Sequence, residues 1–177
     1  MRYAMAVDTR KCVGCSDCVV ACQTENNVPS GFCRDWVVET MDGTYPQLEI
    51  EIRSERCNHC DNAPCVRCCP TGASHKVEGG IVLVDPKQCI GCGACIASCP
   101  YDARYHHPQG YVDKCTFCNH RIKNGMNPAC VEGCPTKCIH FGNLDDMNSD
   151  VSKVLKQRKY KTLIPEAGTD PKLFFLI

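Results

Sequence analysis

Apolar positions along this chain come in short runs that punctuate long polar stretches. Residues 4–8 and 81–85 are strand-like runs, each closing on Val-Asp. Residues 36–41 and 48–53 also read as strands, and the second alternates apolar and charged side chains with the period of two that a half-solvated strand shows. Residues 44–47, containing Pro46, join the pair as a hairpin. Residues 26–31, N-N-V-P-S-G, read as a turn, and the insert at 119–129, with Gly125 and Pro128, as a loop or a short helix and turn. Val151, Val154 and Leu155 recur at helical spacing while Lys153, Lys156, Arg158 and Lys159 point elsewhere, which predicts a short amphipathic helix ended by Pro165. The last five residues, L-F-F-L-I, are all apolar. Such a run either packs on the chain's own clusters or inserts into another subunit, and the second is the expectation. Nowhere do eighteen apolar residues follow one another, so no membrane span is expected.

These runs are too few for an ordinary core, and the cysteines explain why. There are 19 in 177 residues, above the fraction at which a small chain is held together by cross-links or metal. An odd count and spacings of two or three residues argue against disulfides. Sixteen of them fall into four groups of four. Cys12, Cys15, Cys18 and Cys22 follow C-x2-C-x2-C-x3-C, and so do Cys89, Cys92, Cys95 and Cys99, with Pro100 after the last. Cys57, Cys60, Cys65 and Cys69 are spaced C-x2-C-x4-C-x3-C-P, and Cys115, Cys118, Cys130 and Cys134 are spaced C-x2-C-x11-C-x3-C-P. The tails C-V-R-C-C-P-T-G and C-V-E-G-C-P-T-K are cousins. The chain reads as a duplication, each half holding one short-spaced and one looser group. Cys33, Cys68 and Cys138 remain, and are expected to be buried small apolar residues.

Three thiolates converging from one turn, with a fourth facing away, are the ligand run of a bacterial ferredoxin and not the paired knuckles of a structural zinc site. With all sixteen positions cysteine, the reading is four [4Fe-4S] clusters. Because little chain separates the second and third groups, they are expected to form one ferredoxin-like unit over residues 54–103. The first and fourth then pair across it as residues 1–53 and 104–145, and residues 146–177 form the C-terminal helix and docking tail. The expected fold is small, irregular α+β, with two nested units, each around two clusters, and a β-hairpin insertion. Lys plus Arg and Asp plus Glu both total 20, so there is no basic footprint for nucleic acid. Lys11, Arg56 and Lys114 immediately precede three of the groups, either as offsets to cluster charge or as solvated charges or salt-bridge partners. His59 lies inside a group as a packing or hydrogen-bonding residue. There is no nucleotide-binding loop and no nucleophile beside a base, so the chain is read as an electron carrier and not a catalyst.

The order of the groups, with C-P-Y-D-A-R-Y at 99–105 and D-K-C-T-F-C at 113–118, resembles the iron-sulfur subunits of molybdopterin oxidoreductases. The opening R-Y-A-M-A-V-D and the tail G-T-D-P-K-L-F are most similar to the iron-sulfur subunits of polysulfide and thiosulfate reductases. The resemblance implies crossed ligation. Cys12, Cys15, Cys18 and Cys134 would hold one cluster and Cys22, Cys115, Cys118 and Cys130 a second. Cys57, Cys60, Cys65 and Cys99 would hold a third, and Cys69, Cys89, Cys92 and Cys95 the fourth. It also implies two partners, a molybdopterin catalytic subunit and an integral-membrane quinone-binding subunit. Residues 1–8 contain neither an apolar signal region nor a twin arginine. The resemblance therefore places the chain at the outer, periplasmic face of the cytoplasmic membrane by co-export with the catalytic subunit, with a cytoplasmic complex as the alternative. A free-standing soluble polyferredoxin and a zinc-stapled interaction protein are the rival functions.

Overall fold

The computed structural model describes residues 1–177. The strands are β1 (Tyr3–Asp8), β2 (Asp35–Thr44), β3 (Gln47–Arg56), β4 (Ser74–Val77), β5 (Ile81–Val84), β6 (Tyr105–His106), β7 (Val112–Asp113), β8 (Ile139–Asn143), β9 (Tyr160–Lys161) and β10 (Leu173–Leu176). The helices are α1 (Asp17–Asn26), α2 (Pro64–Arg67), α3 (Ala94–Ala97), α4 (Asn119–Ile122), α5 (Ala129–Gly133) and α6 (Asp150–Gln157). This is the small mixed helix and strand architecture expected. No helix is long and apolar enough to cross a membrane.

One sheet, in the order β8-β1-β10-β9, ties the two ends of the chain together. At its centre β1 is antiparallel to β8, with Met5 opposite Phe141, and parallel to β10, with Val7 opposite Phe175. Alternation along β1 divides the interior in two. Met5 and Val7 join Ile139, Phe141, Leu173, Phe175 and the cysteines in the main core, while Ala4 and Ala6 face Val151 and Leu176 under α6. Small residues on that second face let the helix lie close. A Cβ on Gly142 would sit 2.9 Å from that of Ser149, the N-cap of α6, whose hydroxyl accepts from the Ser152 N–H.

The tail thus differs from its expectation. Leu173, Phe175 and Leu176 are between 0 and 1 % exposed inside the chain's own sheet. An apolar terminus with alternate residues facing two cores is an internal strand, and only Ile177 stays open. The amphipathic helix is found, but it stops at Gln157, well before Pro165, because Arg158 turns extended and the chain enters β9 to pair with the tail.

Around the remaining cysteines the elements are short. Helix α1 packs on α5, and α2 on α3. Strands β4 and β5 form a small hairpin between the second and third groups. The long β2–β3 hairpin pairs from Asp35↔Arg56 to Thr44↔Gln47. Its base, at Val37 and Ile52, packs on the first cysteine turn at Gly14, and its distal apolar residues Met41, Leu48 and Ile50 are exposed.

Candidate functional site

The four C-x2-C turns share a backbone feature. The residue before the second cysteine has positive φ in every one: Gly14 at 69°, His59 at 43°, Gly91 at 66° and Phe117 at 52°. That left-handed step bends the chain sharply between the two cysteines. Glycine adopts it freely in the short-spaced runs. In the looser groups a histidine and a phenylalanine adopt it, at about 1–2 kcal/mol each. The two rings meet, fully buried, with centroids 3.7 Å apart and planes 24° from parallel. The Val82 N–H donates to His59 Nδ1, so His59 is the packing residue expected. Burial, with Lys114, Lys172 and Arg104 nearby, holds its pKa well below the usual imidazole value.

Cysteines distant in sequence meet around cavities. Cys57, Cys60, Cys65 and Cys99 line one, with His59, Tyr101 and Arg104 in its wall. Cys69, Cys89, Cys92 and Cys95 line a second, with Pro70, Ile90 and Val112 beside them. Cys22 lies within electrostatic reach of Cys115 and Cys130, and the Asn26 amide reaches both Cys22 Sγ (3.6 Å) and Cys118 Sγ (3.7 Å). Cys134 is less separated from other sulfur: Cys138 Sγ is 3.4 Å away, and Cys138 also feels Cys12. Cys15 and Cys92, the middle cysteines of the two short runs, are exposed, with Val13 and Ile90 exposed beside them.

Hydrogen bonds sort the thiols. In Cys-Pro-Thr of both looser groups the threonine hydroxyl lies near the cysteine, 3.8 Å from Cys69 and 3.6 Å from Cys134. The Ser74 N–H also donates to Cys69 Sγ at 3.3 Å. Burial raises the pKa of both thiols, yet these donors outweigh it and leave both below the ordinary thiol value. Burial instead pushes Cys138 up to about 12 despite Thr136. Cys115 and Cys130 are also pushed up to about 12 by burial, so as free thiols they stay protonated, and metal loading must displace those protons.

Basic groups face this sulfur from inside. Arg56 and Lys114 are 1 % exposed, whereas the Lys11 side chain is 58 % exposed, so the solvated reading holds for Lys11 alone. Arg56 donates to Cys130 Sγ at 2.8 Å and lies 3.7 Å from buried Asp35. Arg104 donates to Cys65 Sγ at 2.9 Å. Lys114 is spent on the carbonyls of Val82 and Cys115. Arg56 Nε and Arg104 Nη1 are buried without any acceptor, a costly state that an anionic group held by the thiols would relieve. Four converging thiols and spare buried donors fit an iron-sulfur cluster, a dianion by formal counting.

Sequence reasoning did not assign Arg104, Ser54, Ser74, Asp35 or the Thr71 and Thr136 hydroxyls, although Arg104 lay within a string it singled out and both threonines follow Cys-Pro. Two leftover cysteines are corrected. Cys138 is buried, but Cys33 and Cys68 are exposed. Helix α2 ends at Arg67, leaving Cys68 in the cap turn with Sγ 3.2 Å from the Ser98 hydroxyl at the surface. Cys33 lines an open groove with Phe32, Trp36 and Leu163.

Residues 48–144 match the family described as a 4Fe-4S dicluster domain. The chain is 36% identical to the arsenate respiratory reductase iron-sulfur subunit ArrB of Shewanella sp. (strain ANA-3), over 99% of this chain and 96% of that protein. It is 45% identical to a tetrathionate reductase subunit of Archaeoglobus fulgidus, over 99% of this chain and 82% of that one. A putative dimethyl sulfoxide reductase iron-sulfur subunit of Halobacterium salinarum is 38% identical over 98% of this chain and 78% of its own length. At these identities and coverages the chain belongs to the family of iron-sulfur subunits of reductase complexes, electron-transfer components built on a 4Fe-4S dicluster domain.

Proposed function

We propose that the chain carries four [4Fe-4S] clusters and relays electrons between a membrane quinone-binding subunit and a molybdopterin catalytic subunit of a reductase of the polysulfide or thiosulfate type. The ligand sets are Cys12, Cys15, Cys18 and Cys134; Cys22, Cys115, Cys118 and Cys130; Cys57, Cys60, Cys65 and Cys99; and Cys69, Cys89, Cys92 and Cys95. The observation that carries the reading is the pair of cavities in which cysteines of the second and third groups mix in the crossed pattern, three from one group and one from the other. The contacts of Asn26 with Cys22 and Cys118 support the same crossing between the first and fourth groups. For the remaining set, the donors on Cys134 favour it over Cys138.

The nested arrangement, residues 1–53 and 104–145 around 54–103, is supported by the β1–β8 pairing, the α1–α5 contact and the β4–β5 hairpin. When bound, the clusters supply one-electron storage. The protein's part is to converge thiolates, donate to them and exclude water from the inner sets, where Cys65, Cys115 and Cys130 are buried. The exposed cysteines Cys15 and Cys92 support contact with the two partners at the short-run sets, the first-and-fourth unit toward the catalytic subunit. We place the complex at the outer face of the cytoplasmic membrane, the chain exported with its partner.

The test is iron and acid-labile sulfide on complex purified without oxygen, together with spectra of the reduced state. About sixteen of each per chain are expected, four per cluster. Zinc with little iron would make the chain a stapled scaffold. A catalytic partner without an export signal would move the complex to the cytoplasm, and a lone chain that is stable and active as a diffusible carrier would make it a polyferredoxin.

A further inference from the structure

We infer that Arg56 and Arg104 are paired potential-setting residues, each raising the reduction potential of one looser-group cluster and joining it through a serine to the neighbouring short-run cluster. The inference rests on the ligand sets proposed above. The two arginines stand at unrelated places in the sequence, one before the second group and one after the third. Each nevertheless donates to the third cysteine of a looser group, Arg56 to Cys130 at 2.8 Å and Arg104 to Cys65 at 2.9 Å.

Each guanidinium also donates to a serine hydroxyl. Arg56 donates to the Ser54 hydroxyl, which lies 3.2 Å from Cys18 Sγ, a short-run thiol. Arg104 donates to the Ser74 hydroxyl at 3.0 Å, and the N–H of Ser74 donates to Cys69 Sγ at 3.3 Å, the thiol assigned to the other short-run set. Thus a path from looser-group thiol to guanidinium to serine to short-run thiol is built twice, ending through the serine hydroxyl at Cys18 and through the serine N–H at Cys69. The first uses β3; the second uses β4 and the segment after Cys99.

A guanidinium remains charged at every accessible pH, and both are at most 5 % exposed, so solvent does not screen them. Each electron accepted adds one negative charge to a site. A fixed positive charge in contact with a ligand sulfur stabilises the reduced form more than the oxidised form, and the potential rises. Among the short-run sets, Cys18, Cys69 and Cys89 have neutral neighbours, the Ser54 hydroxyl, the Ser74 N–H and the Val112 N–H, while Cys95 also lies in reach of the Arg104 charge. The two looser-group clusters, whose sulfur each guanidinium contacts at under 3 Å, are therefore raised most by this device, and the short-run clusters less.

The test is a mediator-controlled redox titration, with dithionite as reductant, followed by electron paramagnetic resonance on the intact complex. Arg104→Gln should lower most the midpoint of the centre lost in Cys65→Ser. Arg56→Gln should lower a different one, lost in Cys130→Ser. Arg→Lys at either site, which keeps the charge but loses the fork, should move the midpoint less. Arg67→Gln, at an exposed arginine close to the second group, is the control and should move none. Should a Gln variant shed its cluster, Arg→Met, neutral and of similar length, decides: a lowered midpoint supports the inference, and an unchanged one overturns it. Unchanged midpoints in Gln variants that retain full iron also overturn it. A wild-type complex without four centres would instead refute the ligand sets, a separate result.

Discussion

Replacing Phe175 by alanine separates two roles for the apolar tail, a strand of this chain's own core or a plug for a partner. Phe175 is fully buried, paired in register with Val7 on β1 and packed in the same cluster as Phe141, Leu173 and the cysteines. A buried Phe→Ala change costs about 3–5 kcal/mol through lost transfer energy and the cavity left behind. That is a large part of the roughly 5–15 kcal/mol by which a domain is stable. For a chain of this size, each kcal/mol lowers the melting temperature by about 2–4 °C, so a drop of about 6–20 °C is expected. The measurement is the temperature at which half of the visible iron-sulfur absorbance is lost, under anaerobic conditions. Ile177→Ala, at the exposed end of the strand, should fall within about 0.5 kcal/mol of wild type. The reasoning is refuted if Phe175→Ala keeps full iron and the wild-type melting temperature yet fails to assemble with its partner subunit.

Other outcomes follow from single contacts. Cys134→Ser should lower the iron content by about one cluster, four atoms by cubane stoichiometry, while Cys138→Ala should leave it unchanged, by metal analysis of anaerobic protein; the reverse would exchange their roles. At His59, φ of 43° strains any side chain, so His59→Gly should be less destabilising than His59→Ala by about 1 kcal/mol in denaturant titration, although both lose the stack on Phe117. Ser149→Ala removes the hydroxyl that caps α6 and should cost about 1 kcal/mol, read as an earlier denaturation midpoint with iron content unchanged.

The cysteine groups and their turns were legible because a C-x2-C step is a local, covalent measure: the two intervening residues limit how far apart the thiols can be. The hairpin at 44–47 and the strands at 4–8 and 81–85 were legible for a similar reason, since period and turn residues act within a few positions. Family membership follows from the same local strings. What the sequence left open depended on residues far apart meeting. Whether five terminal apolar residues fill a partner or their own sheet turns on a strand at the opposite end of the chain, for Leu173 lies opposite Met5. The fate of Cys33 and Cys68 turned on how the short elements around them end. Arg104 reaches Cys65 across 39 positions and Arg56 reaches Cys130 across 74, so no spacing rule could have linked them. His59 read as a packing or hydrogen-bonding residue with no partner identified, and only the fold brings its ring face to face with that of Phe117. Local bonding thus determined which residues can hold metal. Tertiary packing decided which charges, hydroxyls and rings surround them, because burial and distance are properties of the whole fold.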